Sequence, residues 1–193
     1  MRFFIFAILT FLAVSQECMD NSGKRVDWWA ILKVPPKIGS SGYGYIDSVS
    51  QTSDFKYINT HVDQGNTALT FTLSQINSMK LETSAWNDEK PTGQTSTTKA
   101  HSKGLIGFSF DKKRGFFLSH SLPKYPAFSG SQVILTIAPA ENYYGQDLFC
   151  VSMSINELDK LASRLMTTHL YVYYSNIIDG SATHNLYQLG KGQ

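Results

Sequence analysis

The chain has 193 residues, 17 Lys and Arg against 15 Asp and Glu, and a formal net charge of +2. That length suits one domain with a sizeable core. The near-balanced charge excludes recognition of nucleic acid through a dominant basic field at neutral pH, and the lack of any repeat of 20–50 residues excludes a solenoid.

Residues 1–16 are laid out as a secretory signal peptide. Arg2 precedes a 12-residue apolar run over 3–14, with small residues at Ala13 and Ser15. The run falls short of the roughly 20 residues that span a bilayer, so cleavage is expected after Ser15 or Gln16. No later stretch reaches membrane-spanning length. The remainder, 17–193, is expected to be soluble outside the cytosol, either secreted or in an endosomal or lysosomal compartment. Its two cysteines, Cys18 and Cys150, read as one disulfide in an oxidising compartment, where free thiols are the exception. Five histidines (His61, His101, His120, His169, His184) are expected to add positive charge on acidification, which fits a polyanionic partner at low pH but is a weak signal.

The aromatic and β-branched residues of 26–34 predict a strand ended by Pro35-Pro36. Residues 39–44 predict a loop, with a short strand from Tyr45-Ile46. The stretch 67–79 fits a strand with a turn or a short helix equally well. A strand ends near Trp86, and the polar run 87–99 predicts a surface loop. Residues 104–110 and 116–120 form a β-hairpin around a 111–115 turn closed by Gly115. A buried strand covers 147–155. Asn156 is expected to cap the helix that follows, with Asp159 in the capping-box role. Leu158, Leu161, Ala162 and Leu165 line one face of that helix. A strand covers 169–178, and the polar tail 180–193 is expected to fray. Strands predominate, with one firm helix, which makes a mixed α/β sheet domain the expected class.

The sequence Lys99-Ala100-His101-Ser102-Lys103-Gly104 carries the candidate chemistry. It closes the polar loop and opens the hairpin. At a strand start His101 and Lys103 project to one face. A neutral imidazole can attack phosphorus, while an ammonium neutralises a non-bridging phosphate oxygen. Such a pair cleaves a phosphodiester without a metal. The spacing alone is weak, because His-x-Lys is common by chance in surface loops. The cysteines and histidines have no metal-ligand spacing, which argues against zinc. Trp28, Trp29, Trp86, Phe116 and Phe117 are expected in the core rather than as base-stacking platforms. His61, His169 and His184 are expected to be ordinary surface or strand histidines, and Lys112-Lys113-Arg114 a solvated turn.

The surrounding strings carry more. Val26-Asp27-Trp28-Trp29, Leu32-Lys33-Val34-Pro35, Asn87-Asp88-Glu89-Lys90-Pro91, His101-Ser102-Lys103-Gly104, the run from Phe116 through His120-Ser121-Leu122-Pro123 to Pro126, and Tyr144 through Ser152 occur in this order. Each resembles a block of the deoxyribonuclease II family, from Cys18 to about Gly180. The resemblance implies the phospholipase-D-like fold, in which two pseudo-symmetric α/β halves each give one His-x-Lys motif to a shared site; this chain is similar to one half. It implies an endonuclease that cuts DNA in acid without a metal or other cofactor, through a phosphohistidine, and leaves 3′-phosphate ends. By match, His101 and Lys103 are catalytic, His120 is a supporting residue, and Cys18 and Cys150 are a disulfide pair. No second His-x-Lys follows His101, and no aspartate is assigned a role. Three readings stay open. The first is an endonuclease completed by a homodimer that also covers an exposed apolar face. The second is a secreted DNA- or partner-binding relic without turnover. The third is a truncated chain that folds poorly.

Overall fold

The computed structural model describes residues 16–35 and 41–192. The apolar run of the expected signal peptide, within residues 1–15, lies outside the described residues, as do 36–40, which include Pro36 and the start of the expected 39–44 loop. No helix among the described residues is long and apolar enough to cross a membrane.

Among the described residues, ten strands and three α-helices follow one another: β1 (Trp28–Lys33), β2 (Tyr43–Asp47), β3 (Lys56–Ile58), α1 (Ala68–Met79), β4 (Glu82–Asn87), β5 (Lys103–Ser109), β6 (Arg114–His120), β7 (Ala127–Ser129), β8 (Gln132–Ile134), β9 (Gln146–Ser154), α2 (Ile155–Met166), β10 (Val172–Ser175) and α3 (His184–Gly190). Eight strands make one sheet in the order β10-β4-β5-β6-β9-β1-β2-β3, and β7 and β8 form a separate hairpin. Every pairing in the large sheet is antiparallel. The class is therefore mixed α/β, with both faces of an antiparallel sheet carrying helices.

Strand alternation sorts the core into two layers. On one face Trp29, Ile31, Leu105, Leu118 and Leu148 pack with Leu69, Leu73 and Ile76 of α1. On the other, Trp86, Ile106 and Phe108 pack with Leu158 and Ala162 of α2 and Leu186 and Leu189 of α3. The second layer covers only the β10-β4-β5-β6 side. Toward β9 and β1 the same face leaves Phe149 42% and Leu32 47% exposed, with Trp28 tilted against Phe149 at 6.3 Å between ring centres.

Several local readings are decided by hydrogen bonds. The ambiguous 67–79 stretch is helical because Thr67 caps it: Thr67 Oγ1 accepts from the Thr70 N–H and Thr70 Oγ1 accepts from the Thr67 N–H. Helix α2 starts earlier than expected. Ser154, not Asn156, is its N-cap, and Glu157 is its capping-box partner. Asp159 instead accepts from the backbone N–H groups of Asn185 and Leu186, satisfying the first turn of α3. The tail expected to fray is thereby held, with Leu186 and Leu189 buried on α2. In the β5–β6 hairpin the turn residue with positive φ is Lys113 (φ 54°), while Gly115 lies inside β6 opposite Phe108. A side chain at Gly115 would meet the Gly107 carbonyl oxygen and Leu158 at 2.4 and 2.8 Å, so glycine is what lets α2 sit on this strand.

Cys18 and Cys150 form a disulfide across 132 residues of sequence, tying the start of the described chain to the middle of β9. Replacing both by Ala is expected to lower unfolding free energy by about 2–5 kcal/mol, measured by denaturant titration; an unchanged midpoint would contradict a stabilising role for this cross-link.

Candidate active site

The site lies where the ends of β4, β5 and β6 meet. Asn87 at the end of β4 pairs with Lys103 at the start of β5. One step beyond the Gly104–Ser119 pair, the same register brings Lys103 opposite His120 at the end of β6. Gly104 is small for a reason: a Cβ there would lie 2.7 Å from both the Trp86 ring and the Leu118 carbonyl oxygen. Trp86 in turn donates from Nε1 to Ser102 Oγ at 3.2 Å, which fixes the turn between the two motif residues. The Ala100 N–H donates to the His169 carbonyl at 3.2 Å and anchors the turn from the other side.

His101 and Lys103 come together through a third residue. Asp88 Oδ2 is 2.9 Å from His101 Nδ1, and Asp88 Oδ1 accepts from Lys103 Nζ at 2.5 Å. Asp88 and Lys103 are buried, whereas the His101 side chain is 86% exposed. His101 precedes the strand rather than belonging to it. Strand alternation therefore does not unite the pair; a buried carboxylate does. The expectation that 87–99 is all surface loop is corrected at its first two residues, because Asn87 and Asp88 are both buried. Asn87 also builds the site. Its Nδ2 donates to the carbonyls of Leu122 and Tyr125, and its Oδ1 accepts from the Glu89 N–H. Those bonds hold the 121–125 segment against the end of β4.

His120 belongs to the cluster but is unlike His101. It is buried and packs edge-on against Tyr125, with ring centres 5.9 Å apart. Burial and the Lys103 ammonium push its pKa down to about 3. The expectation that all five histidines charge in acid therefore fails for His120. Its Nδ1 accepts from the Leu122 N–H at 3.2 Å, which puts the proton of the neutral ring on Nε2, an atom with no hydrogen-bond partner. Lys33 is a second buried residue without a role in the sequence reading. Its Nζ donates to the carbonyls of Glu141, Asn142 and Tyr144 and to Gln146 Oε1, fastening the segment that precedes β9. His169 and His184 are exposed and His61 is half-buried, and all three side chains lie outside the site.

The arrangement is an imidazole presented to solvent, a buried ammonium near it, and a shared carboxylate that holds both. Those parts suit attack on an anionic ester more than metal binding, since Asp88 is already engaged by Lys103 and His101. Comparison with known proteins agrees with this class. The deoxyribonuclease II family profile matches residues 17–193. The chain is 31% identical over 180 residues to deoxyribonuclease-2-alpha of Rattus norvegicus, covering 86% of this chain and 50% of that protein. It is 31% identical over 172 residues to cell-death-related nuclease 7 of Caenorhabditis elegans, covering 86% and 45%, and 29% identical over 185 residues to plancitoxin-1 of Acanthaster planci, covering 89% and 50%. The chain belongs to the deoxyribonuclease II family. It spans about half the length of the curated relatives it matches.

The buried His120 gives a stability test. Unfolded histidine takes up a proton near its ordinary value of 6.5, but folded His120 resists until about 3. Its contribution is whole above 6.5 and is lost as pH falls through that window. Urea unfolding should show wild type losing about 2 kcal/mol more than His120→Phe between pH 7 and pH 5; equal losses would place a charged or exposed imidazole at this position.

Proposed function

We propose that this chain is an acid, metal-independent endodeoxyribonuclease of the deoxyribonuclease II type. The observation that carries the reading is the Asp88 carboxylate holding His101 through Nδ1 and Lys103 through Nζ. With Nδ1 engaged, Nε2 is the nitrogen left to attack phosphorus. Attack forms an N–P bond and breaks the P–O5′ bond, leaving the 3′-side of the DNA on His101 as a phosphohistidine. The departing 5′ oxygen takes a proton. Water then cleaves the N–P bond and releases a 3′-phosphate end. Lys103, and the partnerless Nε2–H of His120, are suited to receive the non-bridging oxygens as charge develops there. His120 keeps that donor in acid, because its pKa lies near 3.

Leaving-group protonation calls for a second histidine. The family resemblance supplies it from the other half of a phospholipase-D-like fold. In this chain a second copy of the molecule would supply it, as a homodimer about a twofold axis. Two observations support that arrangement: the outward-facing, 86% exposed His101 ring, and the exposed apolar strip at Leu32 and Phe149. Activity in a secreted or lysosomal setting follows from the signal-like residues 1–16 and fits the disulfide. The single His-x-Lys motif favours a second reading, a secreted binder that retains the phosphate pocket without turnover.

Plasmid nicking at pH 5 in EDTA separates the two. The proposal predicts cleavage by a species that light scattering sizes as a dimer, reduced about 10³-fold or more in His101→Ala with folding unchanged. A folded monomer that retains DNA and does not cut it would establish the binder instead.

A further inference from the structure

A second cleft adjoins the site. It occupies about 360 Å³, within the range of small-ligand pockets, and is lined by Lys90, Gln94, Phe128, Tyr173 and Tyr174 with backbone at Gly130. Phe128, on β7, stacks on Tyr174 with ring centres 3.6 Å apart and planes 5° from parallel. Tyr173 is tilted toward the same ring at 6.3 Å, and its hydroxyl donates to the Pro126 carbonyl. Lys90 also lines the cleft, its ammonium held 3.8 Å from the centre of the Tyr171 ring. The aromatic wall is therefore preset by its own contacts rather than free to collapse into the opening.

Two connections bind this cleft to the reaction centre. Lys90 lies two residues from Asp88, which limits their backbone separation to roughly 7 Å, about one nucleotide of extended strand. Pro126, which anchors Tyr173, follows Tyr125, the residue packed on His120. A single-stranded nucleic acid needs from a protein an aromatic surface for a base and a cation for its backbone. The cleft provides both beside the phosphate site proposed at His101 and Lys103.

We infer that this cleft is a nucleobase subsite: it holds one unpaired base of the DNA, next to the scissile phosphate, against the Phe128–Tyr174 stack, with Lys90 on the adjoining phosphate. The inference rests on the nuclease reading for its substrate. It goes beyond that reading in requiring a base to leave its stack for productive binding.

Base binding is measured without turnover by titrating the folded secreted chain with 2′-deoxyadenosine 5′-monophosphate and following its backbone amides by NMR. The amides of Lys90, Phe128 and Gly130 should shift saturably, and the same concentration of 2-deoxyribose 5-phosphate should leave the Phe128 and Gly130 amides in place. Phe128→Leu keeps an apolar side chain in the wall and should weaken nucleotide binding about tenfold. Equal shifts with nucleotide and sugar phosphate, or unchanged affinity in Phe128→Leu, would overturn the inference. Plasmid nicking reads the other claim separately. Nicking with a silent cleft rejects the subsite alone, whereas nucleotide shifts in a chain that never nicks uphold the subsite and reject the nuclease.

Discussion

The site depends on one carboxylate. Asp88 is buried at the bend that ends β4, and it accepts from a buried Lys103 on the neighbouring strand while meeting the exposed His101. A buried ammonium without an anion is strongly unfavourable, so Asp88 offsets the cost of burying Lys103 as well as holding His101. Much of the local structure serves to hold it. Asn87 ties the bend to the 121–125 segment, Trp86 fixes Ser102, and the small Gly104 admits the Trp86 ring. The same contacts bring His120 under the cluster, where burial keeps it neutral.

The sheet explains why the chemistry collects at one end. Neighbouring antiparallel strands place Asn87, Lys103 and His120 in one row on the face that α1 covers, so three segments separated in sequence meet at one end of the sheet. The opposite face is covered by α2 and α3 on the β10-β4-β5-β6 side and carries exposed Leu32 and Phe149 toward β1. The chain spans about half the length of the relatives it matches, and its His101 ring faces outward; the homodimer proposed above rests on these two facts together with the exposed Leu32 and Phe149.

Much of this was legible in the sequence, and what was missed has a common cause. The β5–β6 hairpin, the 147–155 strand and the core placement of Trp29, Trp86 and Phe116 follow from local patterning, whereas Trp28 and Phe117 are only partly buried; the Cys18–Cys150 bridge follows from an even cysteine pair expected in an oxidising compartment. The 67–79 stretch stayed ambiguous because the polar Thr67-to-Thr70 capping box offers no strong apolar period. The cap of α2 was misplaced by two residues because Ser154 reads equally well as the end of a strand. The 180–193 tail looked free because its cap, Asp159, lies on another helix. Asp88 is the instructive miss. It lies within the Asn87-to-Pro91 block, yet its polar neighbours imply a solvated loop, and its partners stand 13 and 15 residues away across a strand pairing. Charge and spacing mark candidates such as His101 and Lys103, but only the pairing of β4 with β5 reveals the group that unites them.

The most direct test of this account is the covalent intermediate. The folded chain is mixed with DNA at pH 5 in EDTA, quenched in alkali, and mapped by mass spectrometry and phosphorus NMR. The account predicts an acid-labile phosphoramidate on His101, bonded through Nε2, because Asp88 occupies Nδ1. An adduct on Nδ1 or on another residue, or cleavage that proceeds with no adduct, would contradict it.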